Sequence, residues 1–589
     1  MIRHMRFPLD SPAPLLSSWF ARSVVPIVLA LLGPTWCFAD QAGSLDLLIV
    51  NGRIWTGFDQ QPEAYALGIQ NGRFVFVDSR ASWEKRQAGV IAKRTIDAQN
   101  RRVVPGFYDS HIHLLSGGLR LNQVALKDAV NEAELGRRLQ EFDRKMPRDQ
   151  WMLGGEWDHD RALKGQLPTA ELLDRYVKDR PVFLRRYDGH MAVANSRALQ
   201  LAGITKDTKD VAGGVIYRYP GSREPTGLLR DTAMSLVEKV IPPPTEEAMT
   251  EAVKQALAEL ASHGITSVQD MDGSDAVTRR RLFRLYQRLA QTGDLTCRID
   301  LRWPLLNWRE LADLGITANF GSDFLRIGGL KGFIDGSLGS STAKFFAPYL
   351  NEPESTGIFV TPPAVMRMMV RQADAAGLSI AVHAIGDQGN AEMLTIFREV
   401  IETNGPQDRR FRIEHAQHLR PEDIRRFAEY GVIASMQPYH VIDDGRWAEQ
   451  RIGPKRCATS YAFRALLDAG AILAFGSDWS VAPLNPMLGI DAAVNRRTLD
   501  GKHPNGWFPE QRITVQESLK AYTFGSAYAA FQEKSRGKIA PGYLGDCVIL
   551  SRDILEPSER DHLAETQVLM TIVGGRVVYE RPGTRPLQK

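Results

Sequence analysis

The sequence predicts an α/β fold: a (β/α)8 TIM-type barrel with a small β-sandwich built from both chain ends and an inserted cap region. Strand-like apolar runs alternate with helical patterns through the middle of the chain, which is typical of a parallel sheet. Residues with metal-binding chemistry follow several of these runs, and a barrel gathers its functional side chains at the carboxyl ends of its strands. With 589 residues, the chain can form such a barrel, of roughly 250 residues or more, and a smaller second domain.

Residues 1–39 have the pattern of a secretory signal peptide. Arg22 precedes the apolar run VVPIVLALL, and small residues suit cleavage after Ala39. A membrane anchor is the alternative, but the run is short for spanning a bilayer. We therefore expect an exported protein, periplasmic or secreted, with no stable membrane insertion after cleavage. The three cysteines that remain, Cys297, Cys457 and Cys547, are odd in number and widely separated, so they predict neither a disulfide framework nor a zinc cluster.

The two ends of the mature chain share a hairpin-like pattern. Residues 45–55 and 65–78 each alternate apolar side chains around Asn-Gly, and residues 567–580 do so around Gly574-Gly575. Since an isolated hairpin is only marginally stable, we predict that residues 45–105 and 537–589 join in one composite β-sandwich. Two unrelated edge hairpins are the alternative. The barrel domain would then occupy residues 106–536.

Nine strand-like runs lie between these ends. They are centred on residues 103–110, 182–187, 265–270, 296–303, 327–334, 379–384, 411–415, 432–437 and 472–477. A closed barrel of this type has eight strands, so one run is extra. The run at 182–187 lies in a stretch rich in proline, glycine and charge. We predict that this stretch, residues 115–235, is an insertion that covers the barrel mouth.

Six residues at or just past the ends of these runs carry the chemistry. They are His111, His113, Lys331, His383, His415 and Asp478. Alternate residues of a strand face the same way, so the two histidines of the DSHIH segment can bind one ion. Neutral imidazoles with a carboxylate suit zinc, with manganese, iron or nickel as alternatives. Taken singly, each residue has a structural explanation, such as a core histidine or a helix cap. The set in barrel order predicts hydrolysis by a metal-activated water.

Several segments together resemble the amidohydrolase superfamily, from about Leu45 to the C-terminus. They are VVPGFYDSHIHL, KGFIDGSLGSSTA, AVHAIGD, RIEHAQ, MQPYH and GSDW. More narrowly, they resemble the branch of metal-dependent hydrolases that includes N-substituted formamide deformylases. This resemblance implies that His111, His113 and Asp478 hold the more buried ion. It implies that His383 and His415 hold a second ion.

The resemblance also implies that Lys331 bridges both ions as a carbamate. A protonated lysine would repel the cations, so the alternatives are a single metal or a displaced Lys331. Asp478 would take a proton from the attacking water and return it to the leaving nitrogen. Candidates for contacting substrate are His190, Tyr439, His440 and Trp479, for which a structural role is an equal alternative.

The expected function is therefore a metal-dependent amidohydrolase that cleaves a non-peptide C–N bond in an amide, N-formyl or N-acyl compound. It would use one or two divalent ions, zinc first among them. The same site could instead hydrolyse an ester, lactone or phosphoester. A barrel-shaped binding protein without catalysis is a third hypothesis, although such a protein would not need Asp478 as a proton shuttle.

The partner expected is a small-molecule substrate. Net charge is only +4, and the leader holds three arginines against one aspartate, so we predict no nucleic-acid partner. A homo-oligomer is compatible with the sequence.

Overall fold

The structure, a computed structural model, describes residues 44–147, 150–186, 191–211, 214–273 and 275–583. The predicted signal peptide, residues 1–39, lies outside these ranges, and its cleavage stays a prediction. Within these ranges, no helix combines the length and the apolar character needed to cross a membrane.

Eight parallel strands form the barrel at the centre of the described chain. They are β1 (Phe107–Ile112), β2 (Ile265–Asp270), β3 (Arg298–Pro304), β4 (Leu325–Phe333), β5 (Ile380–Ala384), β6 (Arg412–His415), β7 (Ile433–Met436) and β8 (Leu473–Phe475). Each strand pairs with the next in chain order. Beyond β8, the amide of Asp478 donates to the carbonyl of His111 at 2.8 Å, which brings the first and last strands together. The predicted TIM-type fold class is confirmed.

The predicted run at 103–110 is wrong as a single strand. Arg102–Pro105 is a strand of the sandwich, and β1 begins only at Phe107. Gly106 separates them, and a Cβ there would lie 2.2 Å from the Thr266 hydroxyl of β2. Both strands are fully buried, so the apolar pattern continues from one to the other, and the pair Pro105-Gly106 is the sign of the break within it.

Helices cover the outside of the barrel. The longer ones are Glu246–Ser262, Ala276–Thr292, Pro363–Ala375, Asp387–Asn404, Pro421–Glu429 and Pro486–Asn495. Shorter helices include Trp308–Asp313, Pro438–Asp444, Phe463–Asp468 and Val515–Lys520. The helix Glu246–Ser262 shows why they form. The Thr245 side chain accepts a hydrogen bond from the Ala248 amide at its start, and Met249, Val253 and Leu257 are buried along one face.

Both chain ends contribute to two further sheets. One has the order Arg73–Asp78, Ala66–Gln70, Leu47–Val50 and Thr95–Asp97. The other has the order Arg576–Glu580, Val568–Val573, Cys547–Leu550, Arg102–Pro105, Arg53–Trp55 and Glu63–Ala64. The strand Cys547–Leu550 pairs antiparallel with Arg102–Pro105, so the two ends share one sheet. Ile49, Ile69 and Ile549 belong to the single apolar core between the sheets.

Two of the three predicted hairpins are confirmed. Asn71-Gly72 joins Ala66–Gln70 to Arg73–Asp78, and Gly574-Gly575 joins Val568–Val573 to Arg576–Glu580. The predicted hairpin at 45–55 is wrong, because Leu47–Val50 and Arg53–Trp55 lie in different sheets. Asn51 does have the positive φ of such a turn, at 55°. There, however, the turn carries the chain from one sheet to the other, where each strand finds longer-range partners.

A separate six-stranded sheet lies between β1 and β2 in the sequence. Its order is Gly214–Arg218, Pro225–Asp231, Met191–Ala194, Val182–Arg186, Met152–Trp157 and Val124–Ala125. Helices Glu132–Asp143, Ala170–Asp174 and Ser196–Leu201 accompany it. The first helix after β1, Leu114–Leu121, packs instead on the barrel helix Glu246–Ser262. The strand-like run at 182–187 thus lies outside the barrel. Arg120 of the first helix pairs with Glu156 of this sheet and donates to the Ser480 carbonyl at 2.6 Å, so the region meets the loop after β8.

Candidate metal centre

The six predicted residues gather at the carboxyl edge of the barrel. His111 lies in β1, Lys331 in β4, His383 in β5 and His415 at the end of β6, while His113 and Asp478 follow β1 and β8. In parallel barrels this edge carries the functional site. Four of the six side chains are buried; those of His113 and His383 keep 28% and 13% of their surface exposed.

His111, His113 and Asp478 form a compact group. One potential ligand atom from each lies within 4.8 Å of the other two. The Nε2 atoms of His111 and His113 lie 3.6 Å and 3.2 Å from Asp478 Oδ1. Two imidazole nitrogens and a carboxylate oxygen converge on one point, which is a donor set that zinc and related divalent ions use.

A second group shares Asp478 and adds His415 and His440. The His415 Nδ1 and His440 Nε2 atoms are buried, and neither has a hydrogen-bond partner in the described chain. Buried polar atoms without a partner are costly, and a metal ion is one group that would satisfy them. The residues present therefore fit a divalent ion. His440, predicted to contact substrate, is here a candidate ligand.

His383 and Lys331 lie at the same edge of the barrel but belong to neither of these two groups. The His383 ring packs against that of His415, with centroids 4.5 Å apart, but its Nε2 atom donates to the Gly336 carbonyl at 3.0 Å. Among described residues it completes no third group of this kind. Burial lowers the pKa of Lys331 to about 8. A larger fraction of neutral amine follows, which is the form that reacts with carbon dioxide.

Carboxylates behind the first group orient its histidines. Glu414 Oε2 accepts a hydrogen bond from His111 Nδ1 at 2.7 Å, and Asp272 Oδ1 lies 3.5 Å from His113 Nδ1. With Nδ1 engaged in this way, Nε2 of each ring faces Asp478, an arrangement common around ligand histidines. Sequence reasoning missed both carboxylates. The available sequence signal was an acid directly before His415 in the segment RIEH, and a second acid just after the strand-like run at 265–270.

Asp109 ties β1 to the segment after β8. Its carboxylate accepts the amides of His111 and Ser477, each at 3.0 Å, and the Ser477 hydroxyl at 2.5 Å. Gly476 allows this approach, because a Cβ there would lie 2.5 Å from the His111 nitrogen. The contacts fix His111 and Asp478 relative to one another.

The three residues of the first group differ in the direction of their pKa shifts. Burial, assisted by the charge of Lys331, lowers the pKa of His111 to about 4. Burial would raise the pKa of Asp478, but the hydrogen bond from His113 and the nearby histidines hold it well below its usual range. Burial opposes the charged form of His113, yet its bonds to Asp272 and Asp478 raise its pKa to about 10. A bound ion would therefore have to displace a proton from His113.

The predicted substrate residues are placed as follows. His190 lies outside the described residues. Tyr439 is partly buried in the helix that follows β7. Trp479 is buried and covers Gly117, where a Cβ would lie 2.3 Å from the indole ring. A cavity of ≈ 510 Å³ opens beside His113 and Lys331, and its lining in the described chain includes neither Tyr439 nor Trp479.

Comparisons with known proteins agree with this geometry. The amidohydrolase family model matches residues 94–579. The chain is 38% identical to Protein LONG AFTER FAR-RED 3 of Arabidopsis thaliana, over 91% of each chain. It is 32% identical to the putative amidohydrolase YtcJ of Bacillus subtilis, over 90% of this chain and 98% of the relative. It is 26% identical to the N-substituted formamide deformylase of Arthrobacter pascens, over 92% and 99%.

A solved structure gives the same result. An uncharacterized metal-dependent hydrolase from Pyrococcus furiosus superposes with a TM-score of 0.71 and 30% identity, covering 87% of this chain and 100% of that one. The protein belongs to the amidohydrolase family and is a metal-dependent hydrolase.

Proposed function

We propose that the protein hydrolyses a non-peptide C–N bond, in an amide, N-formyl or N-acyl compound. The observation that carries the proposal is the convergence of His111, His113 and His415 on one ionised carboxylate, Asp478. The similarity to a formamide deformylase over nearly the whole chain supports the choice of bond.

His111, His113 and Asp478 would hold one divalent ion, for which zinc is the first choice. His415 and His440 would hold a second, with His383 beside them. Lys331 is buried at the same edge of the barrel, and we propose that it carries a carbamate. A bound ion would supply Lewis acidity, lowering the pKa of a water and polarising the substrate carbonyl. The leader of residues 1–39 supports export to the periplasm or beyond.

The protein's own residues move the proton. Asp478 is ionised, so its carboxylate can accept the proton of the attacking water. Its Oδ1 atom faces the two histidines of the first group, and its Oδ2 atom lies 3.9 Å from His440 Nε2. The same carboxylate then returns the proton to the leaving nitrogen, which departs as an amine.

A substrate panel with metal-reconstituted protein tests the proposal. N-formyl, N-acyl and cyclic amides should be cleaved faster than matched esters, lactones and phosphoesters. Asp478→Asn keeps the shape of the side chain and removes its basicity, so turnover should fall on the order of 10²-fold or more. Faster cleavage of esters than of amides would overturn the bond assignment. Near-full activity of the variant would overturn the role of Asp478.

A further inference from the structure

The cavity of ≈ 510 Å³ beside the candidate metal centre has two unlike ends. Its inner end is formed by His113 and Lys331, where a scissile group would lie. Its outer end is open to solvent, since Leu306 keeps 79% of its surface exposed and Val365 keeps 40%. The volume is in the range of sites that enclose small organic molecules.

One wall of the cavity is apolar. Leu305 and Leu306 follow β3, Phe333 ends β4, and Val365, Met366 and Met369 lie on the helix Pro363–Ala375. Three separate elements therefore present mainly carbon and sulfur side chains to the same space. The polar side chains of this part of the lining are Lys331 of β4, at the inner end, and Thr361, just before the helix. A substituent that lies against this wall gains free energy by leaving water, and a charged one would lose its hydration without a partner.

The opposite wall carries acids and one arginine. Asp272 is buried, and Asp275 stands exposed at the start of the helix Ala276–Thr292. The guanidinium of Arg279 faces Asp270, with Nη1 3.3 Å from its carbonyl and 3.5 Å from its Oδ2 atom. Its charge is compensated by the surrounding acids Asp270, Asp272 and Asp275, although its buried Nε atom has no hydrogen-bond partner in the described chain. An anionic substituent that reached outward from the inner end would leave His113 and Lys331 behind and meet the carboxylate of Asp275. Arg279, the cation of the described lining on this side, already faces Asp270.

We propose that this cavity binds one substituent of the scissile C–N bond, and that the substituent is uncharged and apolar, such as an aryl or branched alkyl group. This rests on the proposed function and adds the substrate class to it. Amides with a carboxylate on that substituent, such as N-acyl amino acids held in this orientation, are excluded.

Binding of ketone analogues to zinc-loaded wild-type protein tests the inference separately from turnover. In 4-(4-isopropylphenyl)butan-2-one and 4-(3-oxobutyl)benzoate, CH2 replaces the amide NH, so no C–N bond can be cleaved. The isopropyl and carboxylate groups have similar shape. Calorimetry should show the isopropyl compound binding at least about tenfold more tightly, the size of a well-discriminated apolar contact.

Leu306→Lys places a cation at the exposed rim, where folding does not depend on the leucine. It should reduce the preference for the isopropyl compound by roughly two- to five-fold, the effect of an exposed ion pair. Leu314→Lys is the control, since Leu314 is 75% exposed and lies outside the cavity. Equal affinity for both ketones, no binding of the isopropyl ketone, or an unchanged preference in Leu306→Lys would overturn the inference. A protein that cleaves no amide but shows these affinities would overturn the proposed function alone.

Discussion

Each histidine of the first ligand group lies beside a carboxylate from another strand or from the segment just after one. Glu414 of β6 engages His111 of β1, and Arg412 pairs with Glu414 two residues earlier on the same strand. All three side chains are almost fully buried. Because strand residues two apart face the same side, Arg412 and Glu414 both point into the barrel. His415, the candidate ligand, is the next residue and ends the strand. The ligand geometry thus depends on a charged network inside the barrel.

Glu414→Gln tests this dependence. The amide keeps the shape but removes the charge that fixes the His111 ring, so metal affinity should fall about 10–100-fold. Titration with zinc in a competitive chelator would measure it. Glu422→Gln, at an exposed position, is the matched control. Unchanged affinity in Glu414→Gln would show that His111 needs no such partner.

Lys331→Ala tests the carbamate. If Lys331 supplies oxygens to the ions, the variant should bind less metal and lose most activity. Acetate or propionate could occupy the vacated space and restore part of the activity, whereas short amines should not. Normal metal content and activity without any additive would exclude a bridging role and favour a site made of the histidines and Asp478.

The candidate ligands could be found in the sequence because each follows an apolar run, where a barrel exposes its strand ends. The supporting carboxylates could not. Glu414 matters because β6 faces β1 across the barrel, and that proximity is a property of the closed sheet. The sequence indicates His440 only as a candidate for substrate contact, because its proximity to the other ligands is also a property of the fold. Its position beside His415 and Asp478 depends on how the helix after β7 begins.

At the scale of elements, the sandwich and the barrel are joined by more than the chain. Asp546, just before the strand Cys547–Leu550, accepts two hydrogen bonds from Arg298 of β3, at 2.7 Å and 2.8 Å. Both side chains are at least 90% buried. Asp546 also accepts the amide of Gly574 at 2.8 Å, so it connects β3 to the C-terminal hairpin.

Asp546→Ala should therefore destabilise the protein strongly. Removing one partner of a buried ion pair leaves the other charge uncompensated, at a cost of about 3–5 kcal/mol in the free energy of unfolding. Urea unfolding followed by circular dichroism would measure the change. Glu141→Ala, which breaks the exposed pair with Arg137, is the control and should leave the midpoint unchanged. Equal midpoints for both variants would contradict the coupling.

Turn chemistry explains which elements could be predicted. Asn71-Gly72 and Gly574-Gly575 close hairpins because the strands on both sides pair with each other. Asn51-Gly52 has the same local preference, and the side-chain Nδ2 of Asn51 donates a hydrogen bond to Asp97 Oδ1 at 2.9 Å. Its flanking strands pair with partners in two different sheets. Local sequence fixes the backbone angle, and long-range pairing decides what the turn connects.

At the scale of the whole molecule, the barrel brings residues from Asp109 to Asp478 to one edge, and the sandwich joins the two ends of the described chain. The alternation of strands and helices predicted the barrel, and the hairpin patterns around Asn-Gly and Gly-Gly led to the prediction that the two ends pair. The pairing partners inside the insertion were not predictable, since its strands mix parallel and antiparallel neighbours. The site needs the closed barrel, because β1 and β8 together supply its first ligand group.

The metal content of the purified protein tests the account most directly. Inductively coupled plasma mass spectrometry of the wild-type protein should find one or two divalent ions per chain. The double variant His111→Ala/His113→Ala should lose the ion of the first group, while His562→Ala, at an exposed position, should keep the wild-type content. Folded wild-type protein that hydrolyses amides without bound metal, or a double variant with undiminished metal, would contradict the account.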